Sequence, residues 1–140
     1  VTEGSAAPGR GHWIVDGNNV LGARPDGWWN DRVGATRRLT QTIAEWCRTH
    51  EDVVTVVYDG DPDPTVSELA GGNLTVLGSR RRGRDAADHR IVELAHELVA
   101  TGEVQLAVVS SDRGLVARLP AGVEVIGAGS FRSLLDRRGS

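Results

Sequence analysis

Asp16, Asp59 and Asp112 each close an apolar run that reads as a buried strand: HWIVD, VVTVVYD and LAVVSSD. Asp85 and Asp88 stand three residues apart where a helix begins, so they share one face of its first turn. In an open α/β sheet, parallel strands deliver their C-terminal ends to one edge, and ligands bind there. A single aspartate at a strand end often caps the next helix. Several sent to the same edge go beyond capping, because like charges raise one another's pKa unless a cation compensates them. The expectation is a metal site built from carboxylates. Oxygen-only ligands without a His or Cys cluster favour Mg²⁺ or Mn²⁺ over zinc. Such an ion activates a water and orients a phosphate, which makes phosphodiester hydrolysis the natural chemistry.

The five acids differ in what else they can do. Asp88 continues the stripe of Ile91 and Ala95, which points it toward the sheet. Asp85 reads equally as a helix cap. Asp59 opens DGDPDP, a sequence that would also make a good turn. For Asp112, in SSDRG, capping and metal binding are compatible, and Ser110 and Ser111 either orient it or satisfy local backbone groups. A phosphatase fits less well, because an aspartyl-phosphate route wants Asp-x-Asp after the first strand and Asn18 occupies the second position. All sixteen Lys/Arg positions are arginine, so Schiff-base chemistry and a Walker A loop are excluded for this chain alone.

Arg80, Arg81, Arg82 and Arg84 directly precede the acidic helix, and beside a metal site they suit a phosphate backbone better than open solvent. Trp28 and Trp29 either stack unpaired bases or, the commoner outcome, pack over a helix. His89, Glu93 and His96 fall on the solvated side of their helix.

The elements that must position these groups alternate along the chain. Residues 1–11 read as a flexible small-residue tail, 12–16 as the first strand, and Gly17, Asn18 and Asn19 as a turn. A helix is expected over 31–50, with Val33, Leu39, Ile43 and Trp46 on its buried stripe and Thr36 filling it. Strands follow at 53–59, 73–77, 105–110 and 123–126, and helices at 65–70, 85–100, 112–119 and 130–137. This order predicts one α/β domain over 12–140, in three layers: a mostly parallel central sheet with helices on both faces.

Composition limits the function classes. The 140 residues suffice for one domain, and a formal charge of −3 gives no general pull onto nucleic acid. Cys47, the lone cysteine, lies beside Trp46 in a helical pattern and reads as a buried thiol in a reducing compartment. With neither a signal-like N-terminus nor an apolar stretch of spanning length, the expectation is a cytoplasmic protein without membrane contact.

VDGNNVLG, the long helix after it, RDAADHRIVELA and VVSSDRGL, in this order, resemble a YacP-like NYN domain of the PIN-like nuclease superfamily. The pattern spans roughly residues 12 to 136. The resemblance implies a PIN-like (Rossmann-like) fold and a metal-dependent endoribonuclease that leaves a 5′-phosphate and a 3′-hydroxyl. It places Asp16, Asp88 and Asp112 on the core acidic site and Asn19 on the asparagine of the first motif, with Asp59 and Asp85 as flanking acids. Asn18 departs from the pattern, since many relatives carry an aromatic residue there. The substrate implied is RNA, and the acidic overall charge favours a message presented by a ribosome over free RNA. A non-catalytic RNA-binding adaptor of the same fold, or the toxin of a toxin–antitoxin pair, are the alternatives; the oligomeric state is not legible.

Overall fold

The computed structural model describes residues 11–79, 85–102 and 105–139. Residues 1–10 of the expected tail, and the arginines at 80, 81, 82 and 84, lie outside the described residues. Five strands form one wholly parallel sheet: β1 (Gly11–Asp16), β2 (Val53–Tyr58), β3 (Leu74–Gly78), β4 (Gln105–Val109) and β5 (Glu124–Ile126). Their spatial order is β3-β2-β1-β4-β5. The chain therefore builds outward from β1 on one side, then returns to add β4 on the other. The crevice beyond the C-terminal ends of β1 and β4 is the switch point of the sheet.

Strand alternation divides the core into two layers. Val15, Val56 and Val109 face the larger one, with α1 (Gly17–Leu21), α2 (Arg32–Cys47), α3 (Pro64–Ser67) and α6 (Ala128–Gly139). Ile14, Val57 and Val108 face the smaller one, with α4 (Ala86–Thr101) and α5 (Arg113–Ala117). Ile14, Val57, Ile91 and Val108 are fully buried, and each such chain contributes about 1.5–3 kcal/mol. Where the strands begin, the larger layer holds an aromatic hub. Trp13 and Trp46 meet edge to face at 5.0 Å, and Phe131 lies 5.3 Å from Trp46. The Trp13 indole N–H donates to Asp52 at 3.2 Å. Asn73 closes this end, its side-chain amide donating to the carbonyls of Cys47, His50 and Asp52.

The mixed α/β architecture with helices on both faces is the one expected; several local readings change. Gly17, Asn18 and Asn19 open a short helix instead of a turn, because Val20 and Leu21 bury behind them and hold the turn against the sheet. Gly17 is obligatory there, since a Cβ would lie 2.3 Å from the Tyr58 ring. In α2 the buried stripe is Ala35, Leu39, Ile43 and Trp46, with Thr40, while Val33 is 45% exposed. The first turn of α2 overhangs a cleft and has nothing to bury Val33 against. Pro64, pre-set for a first helical position, starts α3 under the Asp63 cap, and α6 begins two residues earlier than expected, directly after β5. Cys47 is buried and free, its thiol pushed up to about 11 by burial. Among the described residues no helix is long and apolar enough to cross a membrane.

Candidate active site

Register brings the first two site residues together. Val15 pairs with Val109, so Asp16 and Ser110 follow at the same level of adjacent strands. The Ser110 hydroxyl donates to Asp16 Oδ2 at 2.9 Å, and its oxygen accepts the Asp112 backbone N–H at 3.1 Å. Asp16 and Ser110 are 4% and 1% exposed. One serine thus couples the carboxylate that ends β1 to the turn that launches α5. Asp112 caps that helix, accepting the Leu115 N–H at 3.1 Å and keeping Oδ2 out of the cap bond.

The two asparagines after Asp16 act in opposite directions. Asn18 Oδ1 accepts the backbone N–H of Asp59, at the end of β2, at 2.7 Å. Asn19 Oδ1 accepts the backbone N–H of Ser111, after β4, also at 2.7 Å. From the first turn of α1, just past the central strand, adjacent side chains hold the ends of both neighbouring strands. Sequence reasoning singled out Asn19 only through resemblance and treated Asn18 as a departure. The paired backbone role has no one-dimensional signal, because the partners lie 41 and 92 residues away.

Electrostatics identify which acids feel one another's charge. Burial pushes the Asp16 carboxyl up to about 6; the Ser110 hydroxyl and the Asn19 backbone N–H oppose this, while the charges of Asp88 and Asp112 add to it. Asp88, half-buried on the first turn of α4, is likewise raised, by burial first and then by Asp112 and Asp85, with Arg118 opposing and Asp59 adding. Asp16, Asp88 and Asp112 therefore share one field. Asp59 and Asp85 are exposed and reach that field only through Asp88. Asp85 occupies the N-cap position of α4 but makes no side-chain cap bond. Among the described residues no three His, Cys, Asp or Glu side chains converge closely enough to form a ready-made metal cage.

His89, Glu93 and His96 are exposed, as expected of a solvated face, and the two histidines also make surface bonds. Arg118 donates to His89 Nδ1 at 2.8 Å, and His96 meets the Arg118 carbonyl at 3.2 Å, docking the end of α5 on α4 and bringing a guanidinium near Asp88. The tryptophan pair divides. Trp28 packs against the larger core layer with Arg32 over its ring, whereas Trp29 is 55% exposed.

Comparison with known proteins extends this picture. The sequence profile of the YacP-like NYN domain matches residues 13–136. No curated protein matches the sequence. A crystal structure of a point mutant of Rae1 (YacP) from Bacillus subtilis is similar at 26% identity and a TM-score of 0.65, over 91% of this chain and 78% of that one. A second Rae1 (YacP) crystal structure from Bacillus subtilis gives 25% and 0.64, over 90% and 75%. A T5 protein co-crystallised with metal ions shares the fold alone, at 14% identity and 0.50, over 84% of this chain and 54% of that one.

Proposed function

This chain belongs to the YacP-like NYN family, with the fold of PIN-like nucleases, and from that membership we propose that it is a Mg²⁺- or Mn²⁺-dependent endoribonuclease. The observation that carries the proposal is Asp16. A carboxylate held 4% exposed at the switch point, in the field of two further acids, keeps a charge conflict that the Ser110 hydroxyl and the Asn19 backbone N–H only offset, and a cation would resolve it. The donor set is oxygen-only and repels itself. It suits an ion that keeps most of its waters, as Mg²⁺ does, rather than one that needs a protein cage.

Asp16, Asp88 and Asp112 would hold the ion, with Asp59 and Asp85 reaching it through water. When bound, such an ion lowers the pKa of a water and neutralises charge on the phosphodiester. The chain's own groups prepare the edge: Ser110 fixes one oxygen of Asp16, and Asn18 and Asn19 set the strand ends that carry Asp59 and Ser111. Arg80, Arg81, Arg82 and Arg84, just ahead of α4, would take the RNA backbone, a contact that weakens with salt. By family analogy the products are a 5′-phosphate and a 3′-hydroxyl. A ribosome-bound message in the cytoplasm is the substrate this acidic chain suits best; equal cleavage of free and ribosome-bound RNA would count against that part.

The test is cleavage of RNA by the purified protein with added Mn²⁺ or Mg²⁺. Asp16→Asn and Asp112→Asn should each lose cleavage while keeping the parent's circular dichroism. If both cleave like the parent, the site assignment is wrong. The rival reading is a non-catalytic RNA-binding adaptor of the same fold. RNA binding without metal-stimulated cleavage would establish that reading instead. A toxin of the same chemistry would differ in having an inhibitory partner.

A further inference from the structure

Beside the acidic edge, α2 and the connection from β2 to α3 enclose a cleft of about 370 Å³. This lies within the roughly 300–1,000 Å³ range of small-ligand sites. Tyr58 and Val66, both buried, floor it, and Val33 and Pro62 give the accessible apolar surface of its sides. Asp59 and Asp61 present carboxylates on one lip; Arg32 and Val33 stand on the other. Asn18 and Asp59 line the cleft and also belong to the acidic edge, joined by the bond from the Asp59 N–H to Asn18 Oδ1. The cleft therefore adjoins the outer side of the candidate active site, where Asp59 stands.

We propose that this cleft is a subsite for one nucleotide of the RNA, the base entering between α2 and the β2–α3 connection; this rests on the ribonuclease reading. A carboxylate lip repels a phosphate but accepts hydrogen bonds from the N–H groups on a base edge. The backbone phosphate is then left to Arg32 on the opposite lip. Arg32 lies 5.5 Å from the centre of the Trp28 ring, and Trp29 meets Trp28 at 5.9 Å with its indole in solvent. Trp29 thus offers a stacking face to the next base along the strand. The apolar sides at Val33 and Pro62, the accepting lip, the cation and the exposed indole together match a nucleotide and its neighbour.

The test maps amide shifts of isotope-labelled protein, without divalent ions, on titration with the four nucleoside 5′-monophosphates and, separately, inorganic phosphate. The expected result is saturable, nucleotide-dependent shifts centred on Asn18, Val33, Thr36 and Gly60. Inorganic phosphate should not reproduce them. Thr36→Trp, which fills the cleft, should abolish the shifts and raise KM for RNA about tenfold while kcat is kept, the size of one stacked-base contact. Asp61→Asn tests the lip without adding bulk and should weaken nucleotide binding if Thr36→Trp fails to fold. Shifts elsewhere, no shifts, or the same map with phosphate alone would overturn the subsite. If RNA is cleaved but the cleft map is empty, only the subsite fails. If nucleotides map to the cleft but no divalent ion gives cleavage, the ribonuclease reading fails and the subsite stands.

Discussion

The two ends of the sheet are built on opposite principles. Where the strands begin, Trp13, Trp46 and Phe131 interlock, and Asn73 gathers three carbonyls of the turn into β2. Aromatic burial and the bonds made by Trp13 and Asn73 there favour the fold. Where the strands end, Asp16 is buried against its own preference and faces like charges. That end is held by side chains bonded to backbone, through Asn18, Asn19 and Ser110. The difference teaches that stability is concentrated away from the acidic edge, which retains a charge conflict for a ligand to resolve.

Truncating the aromatic end gives the largest effect on stability. Trp46→Ala should cost about 3–5 kcal/mol in urea denaturation. Cleavage per folded molecule should stay near the parent's. Lost cleavage without lost stability would erase the distinction between the two ends.

A smaller effect follows from Asp16. Its folded carboxyl holds a proton up to about pH 6, against an ordinary value of 3.8. Between those values the native state binds more protons than the unfolded one, so stability falls as pH rises. In metal-free buffer this group should weaken the fold by up to about 3 kcal/mol between pH 4 and pH 7. Asp16→Asn should lose that slope and be more stable than the parent at neutral pH. Added Mn²⁺ should raise the parent's Tm and leave the variant's unchanged. A parent whose stability rises with pH over this window would contradict the assignment.

The smallest effects belong to the asparagines. Asn18→Ala and Asn19→Ala should each cost about 0.5–1.5 kcal/mol. Hydrogen exchange should quicken at the Asp59 amide in the first variant and at Ser111 in the second. Matching increases in both variants would show that the strand ends move together.

The strands were legible because VVTVVY and LAVV are β-branched or apolar runs with little competing pattern. The α2 and α4 helices were legible from their stripes, but only in part. Val33 has the right period and no surface to cover it, a fact of tertiary placement. Gly-Asn-Asn has the composition of a turn, and it becomes helical because its side chains reach β2 and β4 and Val20 and Leu21 bury. The strand-end positions of Asp16, Asp59 and Asp112 could be read from chain order. Ser110's hydrogen bond to Asp16 could not, since register across 94 residues decides it. The tryptophan pair was ambiguous because spacing alone does not say which indole a neighbouring helix covers.

Asn18 and Asn19 are neighbours in the chain, so the strand ends they grip are spaced by one peptide unit and two strand intervals of about 4.8 Å. They form a covalent ruler. The segments beyond Asp59 and Ser111 do not enter the measured length. Asp112 apart, those segments can lengthen, shorten or change sequence, altering what the edge meets without rescaling the edge itself.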